Sequence, residues 1–166
     1  MRYFFFLIIY IFFLGTASGQ DSLEKILDRH NSHSVPYISV EEFVMIQRTE
    51  SLIILDAREK VEFNVSHISS AKNIGFDNFF SNEKMLQKIN KDAQVIVYCS
   101  IGIRSEKIAE RLKKLGFINV KNLYGGIFEW KNKGFQVVDS TGRKTENVHA
   151  FSEKWSQWLH AGNPVY

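Results

Sequence analysis

Hydrophobic and polar positions divide most of the chain into compact apolar runs alternating with amphipathic stretches. Leu52-Ile53-Ile54-Leu55 stops at Asp56, and Val95-Ile96-Val97-Tyr98 stops at Cys99. Short apolar runs of this kind predict strands buried on both faces, as in parallel sheets. Tyr37-Ile38 after Pro36, Ala71 to Ile74, and Ile118 to Leu123 predict three more strands. Between them lie helical patterns. Ser39 with Glu42 forms a capping-box signal that opens a helix running to about Arg48. Glu59 to Asn64 reads as a charged helical turn, and Phe76 to Ile89 as a helix that places Phe79, Phe80, Leu86 and Ile89 in the core. Ile108, Leu112 and Leu115 fall at i, i+4 and i+7 on a helix from about Arg104 to Leu115, which Gly116 stops. Ile127 to Lys133 predicts a short helix ended by Gly134. After a polar turn from Asp139 to Thr145, the spacing of Phe151, Trp155, Trp158 and Leu159 predicts an amphipathic helix from about Val148 to His160.

Strands alternating with helices predict an α/β fold with a parallel sheet covered on both faces, binding ligands at the carboxyl ends of its strands. Cys99 stands at such an end. The expected organisation is a lead-in over residues 20–35, one domain over 36–138, and a C-terminal extension over 139–166 carrying a single amphipathic helix. Residues 1–19 are different in kind: Arg2, an apolar run from Tyr3 to Leu14, then small residues through Ala17 and Gly19. That order matches a secretory signal peptide cut before Gln20, and predicts a periplasmic or secreted mature chain. A retained anchor is the weaker alternative, because the run falls short of the roughly 20 residues that span a bilayer. No stable membrane span is expected once the signal is removed.

Composition narrows the chemistry. The 166 residues carry 45% hydrophobic side chains, enough for a packed core, and 21 basic against 18 acidic residues, too close to balance for nucleic acid to be expected as a partner. Cys99 is the only cysteine. It can form no intrachain disulfide and no cysteine-rich zinc site, and neither a metal nor another cofactor is expected. His30 and His33, lacking a third ligand, read as part of a solvated segment.

A lone thiol in an exported chain suggests reactivity, and the residues after it strengthen that reading. Cys99-Ser100-Ile101-Gly102-Ile103-Arg104 joins a buried strand to a helix. Such a loop turns backbone N–H groups inward as an anion nest, and the helix N terminus adds positive charge. A thiol placed there ionises more readily than a free cysteine. Gly102 permits the tight backbone path, and Arg104 is suited to holding an anionic substrate through charge-assisted hydrogen bonds. Arg58 and Glu62, at i and i+4, read as an ion pair, with Arg58 the member expected to meet substrate.

The sequence resembles the rhodanese-like, single-domain sulfurtransferase family. The resemblance rests on Leu55-Asp56-Ala57-Arg58 with Glu62-Phe63, on His67-Ile68 with Ala71 and Asn73-Ile74, on the loop from Cys99 to Ser105, and on Leu123-Tyr124-Gly125-Gly126 with Trp130. It covers about Tyr37 to Val137. Ser66 departs from it, since the family usually has glycine before this histidine. The resemblance implies a three-layer rhodanese-like fold with a central five-stranded parallel sheet and helices on both faces. It also implies transfer of sulfane sulfur from a small anionic donor such as thiosulfate to cyanide, a thiol or a protein acceptor, through a Cys99 persulfide. Cys99 would be the nucleophile, with Ser100, Ile101, Gly102, Ile103, Arg104 and Arg58 binding substrate. His67 would serve packing and hydrogen bonding. The alternatives are a sulfur-relay or binding module with little turnover of its own, and a phosphatase or arsenate reductase. The latter is disfavoured because four residues, not the five of related phosphatases, separate Cys99 from Arg104.

Overall fold

The computed structural model describes residues 22–48, 51–79 and 83–166; the expected signal peptide and Phe80 lie outside them. The apolar runs become the strands of one sheet: β1 (Tyr37–Ile38), β2 (Leu52–Asp56), β3 (Lys72–Asn73), β4 (Gln94–Tyr98) and β5 (Asn119–Leu123). All pairings are parallel, in the order β1-β5-β4-β2-β3, with Asp56 opposite Tyr98 and Val97 opposite Asn122. The chain steps outward one way from β2 to β3 and the other way from β4 to β5. The carboxyl ends of β2 and β4 are therefore adjacent while their outgoing loops diverge, which opens a crevice where such sheets bind ligands.

Strand alternation sorts the core into two layers. Ile54, Ile96 and Tyr98 pack with Phe43 of α2 (Val40–Gln47) and with Ile127, Phe128 and Trp130 of α6 (Gly126–Asn132). Leu55, Val95 and Val97 pack with Leu86 of α4 (Glu83–Leu86) and with Ile108, Ala109 and Leu112 of α5 (Ile103–Lys114). The fold is the expected three-layer α/β arrangement around a five-stranded parallel sheet. Ser39 caps α2 by accepting from the Glu42 amide, as its signal predicts. Leu115, placed on the buried stripe by spacing, is instead 39% exposed as the C-cap of α5. The left-handed turn at Gly116 brings Phe117 into the core in its place.

Three segments differ from the sequence reading. The lead-in contains a helix, α1 (Leu23–His30), capped by Ser22 and burying Ile26 and Leu27. The pattern from Phe76 to Ile89 yields only α4 among the described residues, although Phe79 and Leu86 are buried as expected. The C-terminal extension does not form the helix expected from Val148 to His160. After a hairpin of β6 (Val137–Val138) and β7 (Lys144–Thr145) come β8 (Asn147–His149), a one-turn α7 (Glu153–Ser156) and β9 (Asn163–Val165), with β8 and β9 parallel. Burial of Val148, Ala150 and Trp158 against the α2/α6 layer wins over the helical period, and Phe151 takes a positive φ of 64° where the chain turns out of β8. Among the described residues no helix is long and apolar enough to cross a membrane.

Candidate active site

β4 delivers Cys99 to the carboxyl edge of the sheet, and α5 begins four residues later. Gly102 is the N-cap of α5 at φ 111°, a left-handed conformation that a side chain disfavours. A Cβ on Gly102 would find only ordinary contacts, the nearest at 3.5 Å, so the conformation rather than lack of space requires glycine. The turn aims the Gly102 N–H at Cys99 Sγ, 3.1 Å away. The Ser105 hydroxyl stands 3.4 Å from the same sulfur and donates to Asn122 Oδ1 at 2.7 Å, so its single proton serves one acceptor at a time. The sulfur also sits at the N-terminal end of a twelve-residue helix whose first-turn amides have no partner within that helix.

The loop is held from beneath. Asn122, fully buried on β5, and Asn31 after α1 both donate to the Gly102 carbonyl, at 2.8 and 3.0 Å. On the other side, Ile127 and Phe128 of α6 donate to the carbonyls of Cys99 and Ser100. That approach depends on Gly126, whose Cβ would fall 2.3 Å from the Cys99 carbonyl oxygen. Cys99 is only 2% exposed, yet it lines a cavity of about 180 Å³. Ser100, Ile101, Ile103 and Arg104 form the loop side of this cavity, and Phe151 and Trp155 of the C-terminal extension form its far wall.

Two arginines fall differently from expectation. Arg58, expected to meet substrate, is fully buried. Its guanidinium bonds both oxygens of Asp56 and donates to the Ser66 carbonyl at 2.6 Å, out of reach of any ligand in the cavity. Ser66, the position that departs from the family pattern, thus supplies a backbone anchor. The expected pairing of Arg58 with Glu62 is replaced by two others. Arg58 pairs with Asp56, and Glu62 makes two bonds to Arg104, at 2.6 and 2.7 Å. α3 (Lys60–Val65) carries Glu62 inward because Glu59 caps it, leaving the Glu62 carboxylate facing the Cys99 loop. Burial alone would raise the Glu62 carboxyl, but the hydrogen bonds and charge of Arg104 outweigh it and hold it below the ordinary carboxylate range. Burial likewise opposes charge on Arg104, and Glu62 with the nearby sulfur more than restores it. Arg104 also donates to Ser100 Oγ at 3.1 Å and lies 5.8 Å from the Phe151 ring centre. Its charge is therefore answered by Glu62 rather than left open to an anion.

His67 stacks on Phe63 with ring centres 3.8 Å apart, and its Nδ1 meets the Phe63 carbonyl at 3.0 Å, the packing role expected of it. Among the described residues no cluster of three or more metal-ligating side chains forms.

Sequence reasoning assigned no role to Ser105, Asn122, Asn31, Phe151 or Trp155 at the thiol, and gave Glu62 the partner Arg58 in place of Arg104. Asn122 carried a signal: it shares the buried face of β5 with Val120, and a polar residue on a core face needs a partner.

Comparison with known proteins bears on what this geometry belongs to. The rhodanese-like domain family matches residues 39–133, from α2 through α6 and across the Cys99 loop. The chain is 33% identical over 128 residues to YrkF of Bacillus subtilis (strain 168), a protein named as a sulfur carrier, covering 73% of this chain and 68% of that one. It is 30% identical over 112 residues to a tRNA uridine(34) hydroxylase of Aster yellows witches'-broom phytoplasma (strain AYWB). That match takes in 66% of this chain but 36% of the hydroxylase, so the likeness is to one part of the larger protein. Among solved structures, a rhodanese-related protein of Thermoplasma volcanium aligns at 27% identity with a TM-score of 0.54, over 62% of this chain and 97% of its own. Matched by the family over more than half of its length, and at 33% identity by YrkF, the chain belongs to the rhodanese-like domain family.

Proposed function

We propose that the protein is a sulfurtransferase that carries sulfane sulfur on Cys99. The observation that carries this reading is the sulfur itself, which faces the Gly102 N–H and the Ser105 hydroxyl at the base of a cavity large enough for a small sulfur compound. The Cys99 thiolate attacks the outer sulfur of a donor such as thiosulfate. A sulfur–sulfur bond forms, the original one breaks, and the electron pair leaves with sulfite. Cyanide or a thiol then attacks the terminal sulfur of the persulfide and returns Cys99 as thiolate, a two-step route through a covalent intermediate. The Gly102 amide and the first-turn amides of α5 are fixed before the charge arrives, so they stabilise it without reorganising. The name borne by YrkF supports sulfur carriage in particular. Residues 1–19 are proposed as an export signal, on the strength of the apolar run behind Arg2, which would place the mature chain in the periplasm or outside the cell.

Intact mass of the protein isolated from its host tests both statements. The mature chain is expected to begin at Gln20. Thiosulfate should add one sulfur, about 32 Da, that cyanide removes and that Cys99→Ser never acquires. No mass gain, or a gain that survives Cys99→Ser, refutes the transfer reading.

A further inference from the structure

The cavity above Cys99 has features that thiosulfate does not require. Its lining is almost entirely apolar. Among the described residues lining it, Arg104 is the one charged side chain, and both its terminal nitrogens bond the Glu62 carboxylate. A doubly charged inorganic donor entering this space would give up water and meet a cation already neutralised, which is unfavourable in an apolar surround.

The far wall comes from outside the stretch that the rhodanese-like domain family matches. That match ends at residue 133, whereas Phe151 and Trp155 belong to the extension after it. The extension is anchored: the Ala150 amide donates to the Val165 carbonyl at 2.8 Å, Ala150 is fully buried, and Trp155 packs on Trp158, itself 6% exposed, with ring centres 5.3 Å apart. At the end of this anchored strand Phe151 is 62% exposed and held at φ 64°. A phenylalanine held in a left-handed backbone costs about 1–3 kcal/mol, and such strain clusters at functional sites. Its ring completes the cavity. The volume admits a guest of aryl size: an apolar cavity of about 150 Å³ holds a benzene ring, and this pocket, open to solvent on one side, measures about 180 Å³.

We propose that Phe151 and Trp155 determine specificity, selecting organic sulfane-sulfur donors with an apolar body of up to aryl size over inorganic thiosulfate. The inference rests on the persulfide reading above and adds the class of donor. With an organic thiosulfonate, Cys99 thiolate attacks the outer sulfur, the new sulfur–sulfur bond forms, and the bond to the sulfonyl sulfur breaks. The electron pair departs with the sulfinate, so charge and sulfur balance without a further oxidant or reductant. The organic group of the leaving sulfinate then rests against Phe151 and Trp155.

The test uses the full mature chain and three sodium salts as donors: thiosulfate, methanethiosulfonate and benzenethiosulfonate. The rate of the mass gain at Cys99 is read for each. The two thiosulfonates carry the same charge, and the ratio of their rates, compared between wild type and variant, removes their difference in intrinsic reactivity. Wild type should load fastest from benzenethiosulfonate and slowest from thiosulfate. Phe151→Gly removes the ring at a backbone position that glycine favours, and should lower the benzene-to-methane rate ratio about tenfold, the scale of an aryl face losing its apolar contact. Trp155→Leu should lower it by less, and Phe151→Leu should recover part of the preference. Sulfur loading with a ratio unchanged in both Phe151→Gly and Trp155→Leu, within about twofold, overturns the proposal while leaving the persulfide reading intact. Absence of loading from every donor overturns the persulfide reading itself.

Discussion

Replacing Gly126 by alanine tests whether the backbone of α6 holds the Cys99 loop in place. Gly126 has φ 55°, and a Cβ there would lie 2.3 Å from the Cys99 carbonyl oxygen and 2.7 Å from the Ser100 carbonyl carbon and oxygen. Every one of these atoms is backbone, so no side-chain rotation relieves the clash. To restore ordinary contact at 3.4 Å, the Cys99 carbonyl would have to recede by about 1.1 Å. That movement stretches the bonds from Ile127 to the Cys99 carbonyl, now 2.9 Å, and from Phe128 to the Ser100 carbonyl, now 3.1 Å. Each bond contributes about 1 kcal/mol, and the overpacking adds about 1–3 kcal/mol. Gly134 supplies the control. Its φ is 81° and nothing lies within 4 Å of its Cβ position, so Gly134→Ala bears only the left-handed strain that both variants share, about 1–2 kcal/mol. Urea unfolding should therefore show Gly126→Ala less stable than Gly134→Ala by about 3–5 kcal/mol. Any folded Gly126→Ala should load sulfur more slowly, because Cys99 Sγ moves relative to the Gly102 amide. Equal stabilities within about 0.5 kcal/mol, with equal loading, would show that the loop does not depend on the α6 backbone.

Two further substitutions separate structural charge from charge at the site. Glu62 has a carboxyl held below its ordinary value, so its contribution to stability is complete above the unfolded carboxylate range near about pH 4.3 and is lost as pH falls through the lower folded value. Urea midpoints measured from neutral to acid pH should fall more steeply in wild type than in Glu62→Gln, and parallel curves would contradict the assignment. Arg58→Met leaves the Asp56 carboxylate buried without its partner and should cost about 3–5 kcal/mol, while the folded fraction keeps the wild-type KM for a sulfur donor. A folded Arg58→Met protein with a raised KM would return Arg58 to the substrate site.

The fold and the placement of Cys99 between a strand end and a helix start were legible in the sequence because both rest on local signals. Apolar runs of strand length, helices with single apolar faces, and glycines at helix ends are short-range consequences of burial and backbone freedom. They led to β2, β4, α5 and the Cys99 loop with little shift in their ends. What failed depended on contacts distant in sequence. The period of Phe151, Trp155 and Trp158 suits a helix equally well in isolation, yet Val148, Ala150 and Trp158 gain more by packing on the α2/α6 layer, and the segment folds as strand, turn and strand. Glu62 stands four residues from Arg58 and 42 from Arg104, and local spacing favoured the wrong partner. Charge pairing follows distance in space, and the tertiary fold brings the Glu62 face of α3 to the start of α5 while sealing Arg58 behind Asp56.

The chain's order of residues by itself settled an α/β sheet with a single thiol at the mouth of a helix, because hydrophobic periodicity and glycine placement act over a few residues. Only the tertiary structure decided what surrounds that thiol: an arginine neutralised by Glu62, a loop pinned by Asn122 and Gly126, and an aromatic wall from the far end of the chain. Those features arise from packing between elements, where burial and Coulomb attraction choose among partners that no local pattern distinguishes.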